Sequence, residues 1–121
     1  MFTLRKIEGG RINVFEPVVY PVGPTAVTEG EALVLSGGTL AKCGQDVTPT
    51  FIALESGASN AEIHVGRVES NQVYETAAVS GVTLGAKYKL SSDATGIIAT
   101  AASTGGAEIV AINENSIYVR F

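Results

Sequence analysis

The chain has 121 residues, with eight Lys and Arg against twelve Asp and Glu, a formal net charge of −4, 45% apolar residues and no Trp. That length suits one domain able to bury a real core, and the acidic balance excludes nucleic-acid binding by bulk phosphate neutralisation. Cys43 stands alone, so no intrachain disulfide can form, and no apolar run approaches the roughly 20 residues of a membrane helix.

The charge is unevenly placed. The first eleven residues carry Arg5, Lys6 and Arg11 against Glu8, whereas the rest carries five basic residues against eleven acids. Arg5 and Lys6 lead into Glu8-Gly9-Gly10-Arg11, where a secretion signal would be apolar. Together with the lone cysteine, this sets the expectation of a protein that works or is assembled in a cytoplasm.

Phe2 and Leu4, then Ile12 and Val14, sit two apart, which is strand spacing, and Gly9-Gly10 interrupts them. Residues 17–25 hold Pro17, Pro21, Gly23 and Pro24. Each proline lacks a ladder donor, so this stretch cannot lie in a central strand. The spacing predicts an extended arm over 1–16, a stiff connector over 17–25 and a β-rich body over 26–121.

Within the body, Ala32-Leu33-Val34-Leu35 and Leu40-Ala41-Lys42-Cys43 flank Ser36-Gly37-Gly38-Thr39. Two short runs around Gly-Gly predict a tight hairpin, because glycine supplies the positive φ of such turns. Thr50–Glu55 is β-rich, Ser56–Asn60 a loop, and Glu62–Val65 alternates cleanly. The apolar parity changes at Gly66, which predicts a bulge there. Strands are expected at 72–76, 82–90, 97–100, 108–112 and 116–121, and Asp93-Ala94-Thr95-Gly96 has the residue preferences of a type I turn. No normal-length amphipathic helix and no fixed-period repeat is visible. The fold class is all-β: a small barrel or sandwich of short antiparallel strands with an extended N-terminal arm.

Catalytic chemistry has little to work with. Nucleophilic catalysis wants Ser, Cys or Thr beside a base, and His64 is the only histidine. It sits mid-strand with the parity of Glu62, as a surface or interface histidine would, and Cys43 suits a buried small hydrophobe. Glu29 and Glu31 flank Gly30 as a solvated turn would, with no D-x-D-x-D-G calcium loop. The Gly-Gly pairs at 37–38 and 105–106 match neither phosphate-loop pattern. The expectation is no catalytic residue, no metal and no cofactor. The arm residues Phe2, Thr3, Leu4, Arg5, Lys6 and Ile7 are the candidate site: an edge-seeking basic segment that adds a strand to an acidic partner's sheet.

The stretch from Glu31 to Leu40 resembles the opening of the body in small head-decoration proteins of tailed bacteriophages. So do Pro49–Glu55, Ile63–Val68, Val73–Thr76, Leu84–Leu90, Gly96–Ile98 and Val119–Phe121. The resemblance covers most of 25–121 in strand and turn patterning, without an invariant signature. It implies a structural cement protein that binds the outer surface of the capsid in the virion, after assembly in the bacterial host cytoplasm. The implied partners are the major capsid protein and the chain itself as a homotrimer, with no nucleic acid and no membrane. Residues 2–7 occupy the place of the family's capsid-binding arm. A different class, a small β-barrel module for carbohydrate or cell surfaces, keeps Tyr20, Tyr74, Tyr88 and Tyr118 as contacts but lacks Trp for sugar stacking. A hydrolase using His64 with Cys43 or a carboxylate has the least support.

Overall fold

The computed structural model describes residues 1–7 and 17–121. The expected alternation at Ile12 and Val14 and the Gly9-Gly10 break lie outside the described residues. Eleven short strands and no helix make up the described chain: β1 (Thr3–Ile7), β2 (Pro17–Pro21), β3 (Ala32–Ser36), β4 (Thr39–Lys42), β5 (Phe51–Ala53), β6 (Glu62–Arg67), β7 (Gln72–Ala77), β8 (Lys87–Leu90), β9 (Ile97–Ala101), β10 (Ala107–Ile112) and β11 (Ser116–Arg120). They form two antiparallel sheets. One has six strands in the order β1-β7-β11-β10-β8-β9, the other five in the order β2-β6-β5-β3-β4. The architecture is sandwich-like rather than a closed barrel.

Sequence order and sheet membership nearly coincide. The smaller sheet takes residues 17–67 and the larger takes 72–120, with β1 as the exception that crosses to the larger sheet. There are also two cores. Val22, Val27, Leu33, Leu40, Phe51, Ala53, Ile63 and Val65 form one inside the curl of the smaller sheet. The other fills the layer between sheets, with Ala32, Ile52 and Cys43 meeting Tyr74, Leu90, Ile109, Ile117 and Val119. Strands β3 and β5 face both, which is why Phe51-Ile52-Ala53 is buried at every position and shows no alternation.

The expected hairpin is present. Leu35 pairs with Leu40 and Ser36 with Thr39, and Gly37 and Gly38 have φ of 60° and 84°. Positive φ at both central residues is the primed turn whose twist matches two paired strands. The turn after β10 also falls as expected, with Asn113 N–H donating to the Ser116 carbonyl.

Three local expectations differ. Residues 17–21, expected in a connector, form β2 and pair in register with β6 from Pro17↔Gly66 to Pro21↔Glu62. An edge strand needs ladder donors on one side only, and Pro17 and Pro21 share one parity, so the prolines are tolerated there. Gly66 carries no bulge: it pairs regularly with both Pro17 and Ile52. The parity change arises because Ile63 and Val65 point into the smaller sheet's core while Val68 packs against the inter-sheet core. The bulges lie elsewhere, in the β1–β7, β10–β11 and β8–β9 ladders. At 93–96 the turn is not type I, since Ala94 has φ of 58°. Asp93 accepts from Ser91 Oγ, Thr95 N–H and Thr95 Oγ, and the Ala94 carbonyl takes the Ala32 N–H at 2.7 Å. Those bonds hold a left-handed alanine that otherwise costs about 1–2 kcal/mol.

Candidate functional site

Of the residues singled out by the sequence, Phe2 to Ile7, Thr3 to Ile7 form a strand at one end of the larger sheet as described, and Phe2 directly precedes it. Thr3 pairs with Glu75, Leu4 with Tyr74, Lys6 with Val73 and Ile7 with Gln72, and the register shifts between Leu4 and Lys6, which puts Arg5 in the bulge. Phe2 and Leu4 are only 2% and 8% exposed and belong to the inter-sheet core. Phe2 meets Phe121 edge-on with ring centroids 5.1 Å apart, and Tyr74 lies 5.1 Å from Phe121. Phe2 N–H also donates to the Gly30 carbonyl at 3.0 Å. Burying Phe and Leu side chains is worth about 1.5–3 kcal/mol each, so β1 is tied into the body.

Charge lies at the rim of this strand. Arg5 Nε donates to Glu75 Oε1 at 2.6 Å, with the two side chains 51% and 25% exposed. Hydrogen bonds from Ser116 and then Arg5 hold the Glu75 carboxyl below its usual range. On the side away from β7, no described strand pairs with β1. Sequence reasoning found the segment but missed its supports. Tyr74, Glu75 and Phe121 stand about seventy or more residues away in the chain, and no local pattern announces such a pairing.

The other open edge of the larger sheet is β9. It carries Ile97-Ile98-Ala99-Thr100-Ala101, within a stretch from Ala94 to Ala107 that holds no charged residue.

The residues weighed for chemistry fall apart in space. Cys43 is 2% exposed in the inter-sheet core, with Sγ 3.4 Å from the Gly44 and Val47 carbonyls. Burial pushes its thiol up to about 11, which suppresses the nucleophilic thiolate. His64 is exposed, and its Nδ1 lies 2.7 Å from Glu55 Oε2. Hydrogen bonds from His64, the backbone N–H first, lower the Glu55 carboxyl. Tyr20 lies over Phe51 at 5.1 Å and borders the smaller sheet's core. Tyr74 and Tyr88 are buried, and Tyr118 is half-buried.

Glu31 is the exceptional carboxylate, 4% exposed. Its Oε1 accepts the Thr28 N–H at 3.1 Å. Desolvation raises its pKa, opposed by the Thr28 N–H and by Lys42, while Asp93 adds to the rise. Glu29, Glu31, Lys42 and Asp93 line a shallow groove beside the start of β1. Among the described residues no group of three or more His, Cys, Asp or Glu side chains is arranged to hold a metal, and no helix is long and apolar enough to cross a membrane.

No family model matches this sequence, and no curated protein matches it. A solved structure does: the N base of the head fiber gp8.5 of bacteriophage phi29, with a TM-score of 0.58 over 87% of this chain and 94% of that one, at 14% identity. The likeness is one of fold: this chain has the architecture of that fiber base.

Proposed function

We propose that this chain is a structural protein of a phage virion. It sits on the outer surface of the capsid as a head-decoration protein and clamps neighbouring major capsid subunits. The observation that carries the reading is the fold shared with the base of a phage head fiber over nearly the whole of both chains. It agrees with the independent resemblance of the strand and turn pattern to head-decoration proteins.

The physical logic of such a role is adhesive. An added strand contributes only a few hydrogen bonds, each about 1 kcal/mol net. A homotrimer would engage several sites at once, and linked weak contacts gain roughly 10²–10⁴ in avidity. The acidic body keeps undocked copies soluble and mutually repulsive. Assembly would take place in the bacterial host cytoplasm, with the major capsid protein as partner.

The test is co-sedimentation of the purified chain with expanded, undecorated capsids of the source phage, with light scattering of the free chain. Saturable binding and a three-copy mass are expected. Failure to sediment with capsids would overturn the reading and favour a carbohydrate- or cell-surface-binding module.

A further inference from the structure

We infer that the turn Thr28–Glu31 is a positioning device for the candidate capsid-binding segment. Through Gly30 it fastens the start of β1 to the smaller sheet, so that the segment meets a capsid subunit already ordered; this inference rests on the capsid reading above.

The turn stands just before β3 and is closed twice. Glu31 N–H donates to the Thr28 carbonyl at 3.1 Å, and Glu31 Oε1 accepts the Thr28 N–H at 3.1 Å. Glu31 is only 4% exposed. A carboxylate is costly to bury, and here it is held by a bond that fixes the local backbone. Inside the turn, Gly30 has a φ of 81°, which glycine adopts without a Cβ penalty. The turn is tied to the smaller sheet at β5 and just beyond it. Gly30 N–H donates to the Ala53 carbonyl at 2.8 Å, Ala53 N–H donates to the Glu31 carbonyl at 3.0 Å, and Glu29 N–H donates to Ser56 Oγ at 2.9 Å. So placed, the Gly30 carbonyl takes the Phe2 N–H at 3.0 Å.

At that bond the chain passes from one sheet to the other. Phe2 is bonded to the turn, and the next residue, Thr3, already pairs with Glu75 in the larger sheet. The approach is close: a Cβ at Gly30 would collide with Met1 Cγ and stand 2.8 Å from Met1 Cβ. The Phe2 side chain enters the inter-sheet core, 2% exposed, against Phe121. Strand β1 is thus held to one sheet by its ladder and to the other by the residue before it. A segment ordered in advance need not be ordered by its partner, and such preorganisation favours binding. The turn acts through β1 and need not touch the capsid itself.

Two substitutions and one rescue test this. Gly30→Ala drives a Cβ into Met1 at a φ that side chains rarely adopt. Amide exchange followed by NMR should accelerate at Phe2 and Thr3 while β10 and β11 keep their protection. Affinity for expanded capsids should fall by about tenfold, the cost of ordering one residue's backbone, mainly through slower association. Glu31→Ala removes the acceptor of the Thr28 N–H and should act in the same direction. Glu31→Gln keeps an acceptor there and should restore wild-type exchange and affinity. This pair decides the matter if Gly30→Ala does not fold. Wild-type affinity in a variant whose β1 amides exchange faster would overturn the inference, as would unchanged exchange at Phe2 in both Gly30→Ala and Glu31→Ala. A defect in Glu31→Gln equal to that of Glu31→Ala would overturn it too, because charge and not the turn would then be at work. A wild-type chain that ignores capsids would remove the capsid reading itself, a failure distinct from these, since amide exchange reports on the turn without capsids.

Discussion

The two sheets are assembled in opposite ways. The buried core of the smaller one comes entirely from residues 22–65, and Val22, just after β2, bridges Leu40 of β4 at the other end of the sheet order. The core between the sheets draws on residues from Phe2 to Val119, and among the described residues its sheet ends in β1 and β9. The smaller sheet is local in sequence. The larger one depends on a strand about seventy residues away in sequence from its neighbour. The candidate segment, β1, is thus held in the ladder with the longest loop to close.

The largest test of that contrast is a pair of truncations. Phe51→Ala removes a 1% exposed ring that also carries the Tyr20 contact and the Arg67 guanidinium 5.5 Å above it. It should cost about 3–5 kcal/mol in urea denaturation, with loss of protection throughout the chain. Phe2→Ala should cost about 3 kcal/mol, and amide exchange should accelerate first in β1 and β7 while β3 and β5 keep their protection. Equal acceleration in both sheets would mean that they unfold as one unit and that the locality of the smaller core has no energetic meaning.

Next in size is Gly106→Ala. A Cβ there would stand 2.2 Å from the Tyr88 carbonyl oxygen and 2.8 Å from Ala102 Cβ, at a φ of +78°. Backbone cannot yield as a side-chain tip can, so the substitution should cost about 2–4 kcal/mol by denaturation midpoint. The damage should centre on the β8–β9 hairpin and leave the β1–β7 amides protected, which separates the two ends of the larger sheet.

A smaller effect concerns the seam where the two sheets meet at the start of β3. Glu31 has a raised pKa because burial disfavours its charge. In this group the folded state binds the proton more readily than the unfolded one, so stability falls as pH rises through the window that opens near 4.5, the ordinary value. Asp93 has the opposite sign: hydrogen bonds from Ser91 and Thr95 bring it down from 3.8 to about 2. Its contribution is present above 3.8 and is lost as pH falls toward 2. Glu31→Gln keeps an acceptor for the Thr28 N–H and removes the charge. Its denaturation midpoint should exceed wild type at pH 7 and converge with it near pH 4. A midpoint below wild type at pH 7 would show that Lys42 outweighs desolvation.

Legibility followed the reach of each interaction. The Gly37-Gly38 hairpin and the Asn113–Asn115 turn are local, and alternation with turn residues revealed them. Strand β2 was hidden because Pro17 and Pro21 exclude a central strand but not an edge, and strand order is invisible in sequence. Gly66 seemed to break phase only because two cores lie on opposite sides of one chain segment. Ala94 in the left-handed region has no signature, since its conformation is imposed by the side chain of Asp93 and by the Ala32 N–H. At the candidate site, the basic edge residues were legible, and their anchoring on Tyr74, Glu75 and Phe121 was not. Composition signals a segment that seeks a strand partner, but a partner within the chain and one outside it make the same demand on residues 2–7.

The smallest effect is expected at the other open edge, and it sharpens the difference between the two. Thr100 is exposed on β9, in a ladder whose register slips between Tyr88 and Leu90. Thr100→Lys places a charge on an edge that has none, and a surface change of this kind should move stability by no more than about 0.5 kcal/mol. Lysine on an edge discourages strand addition, so the substitution would block any partner that used β9. Capsid binding should remain at the wild-type level, because the candidate segment, Phe2 to Ile7, lies across the sheet at β1. If binding fell while the unfolding midpoint held, the docking edge would be β9. Main-chain hydrogen bonding rather than charge would then choose the partner.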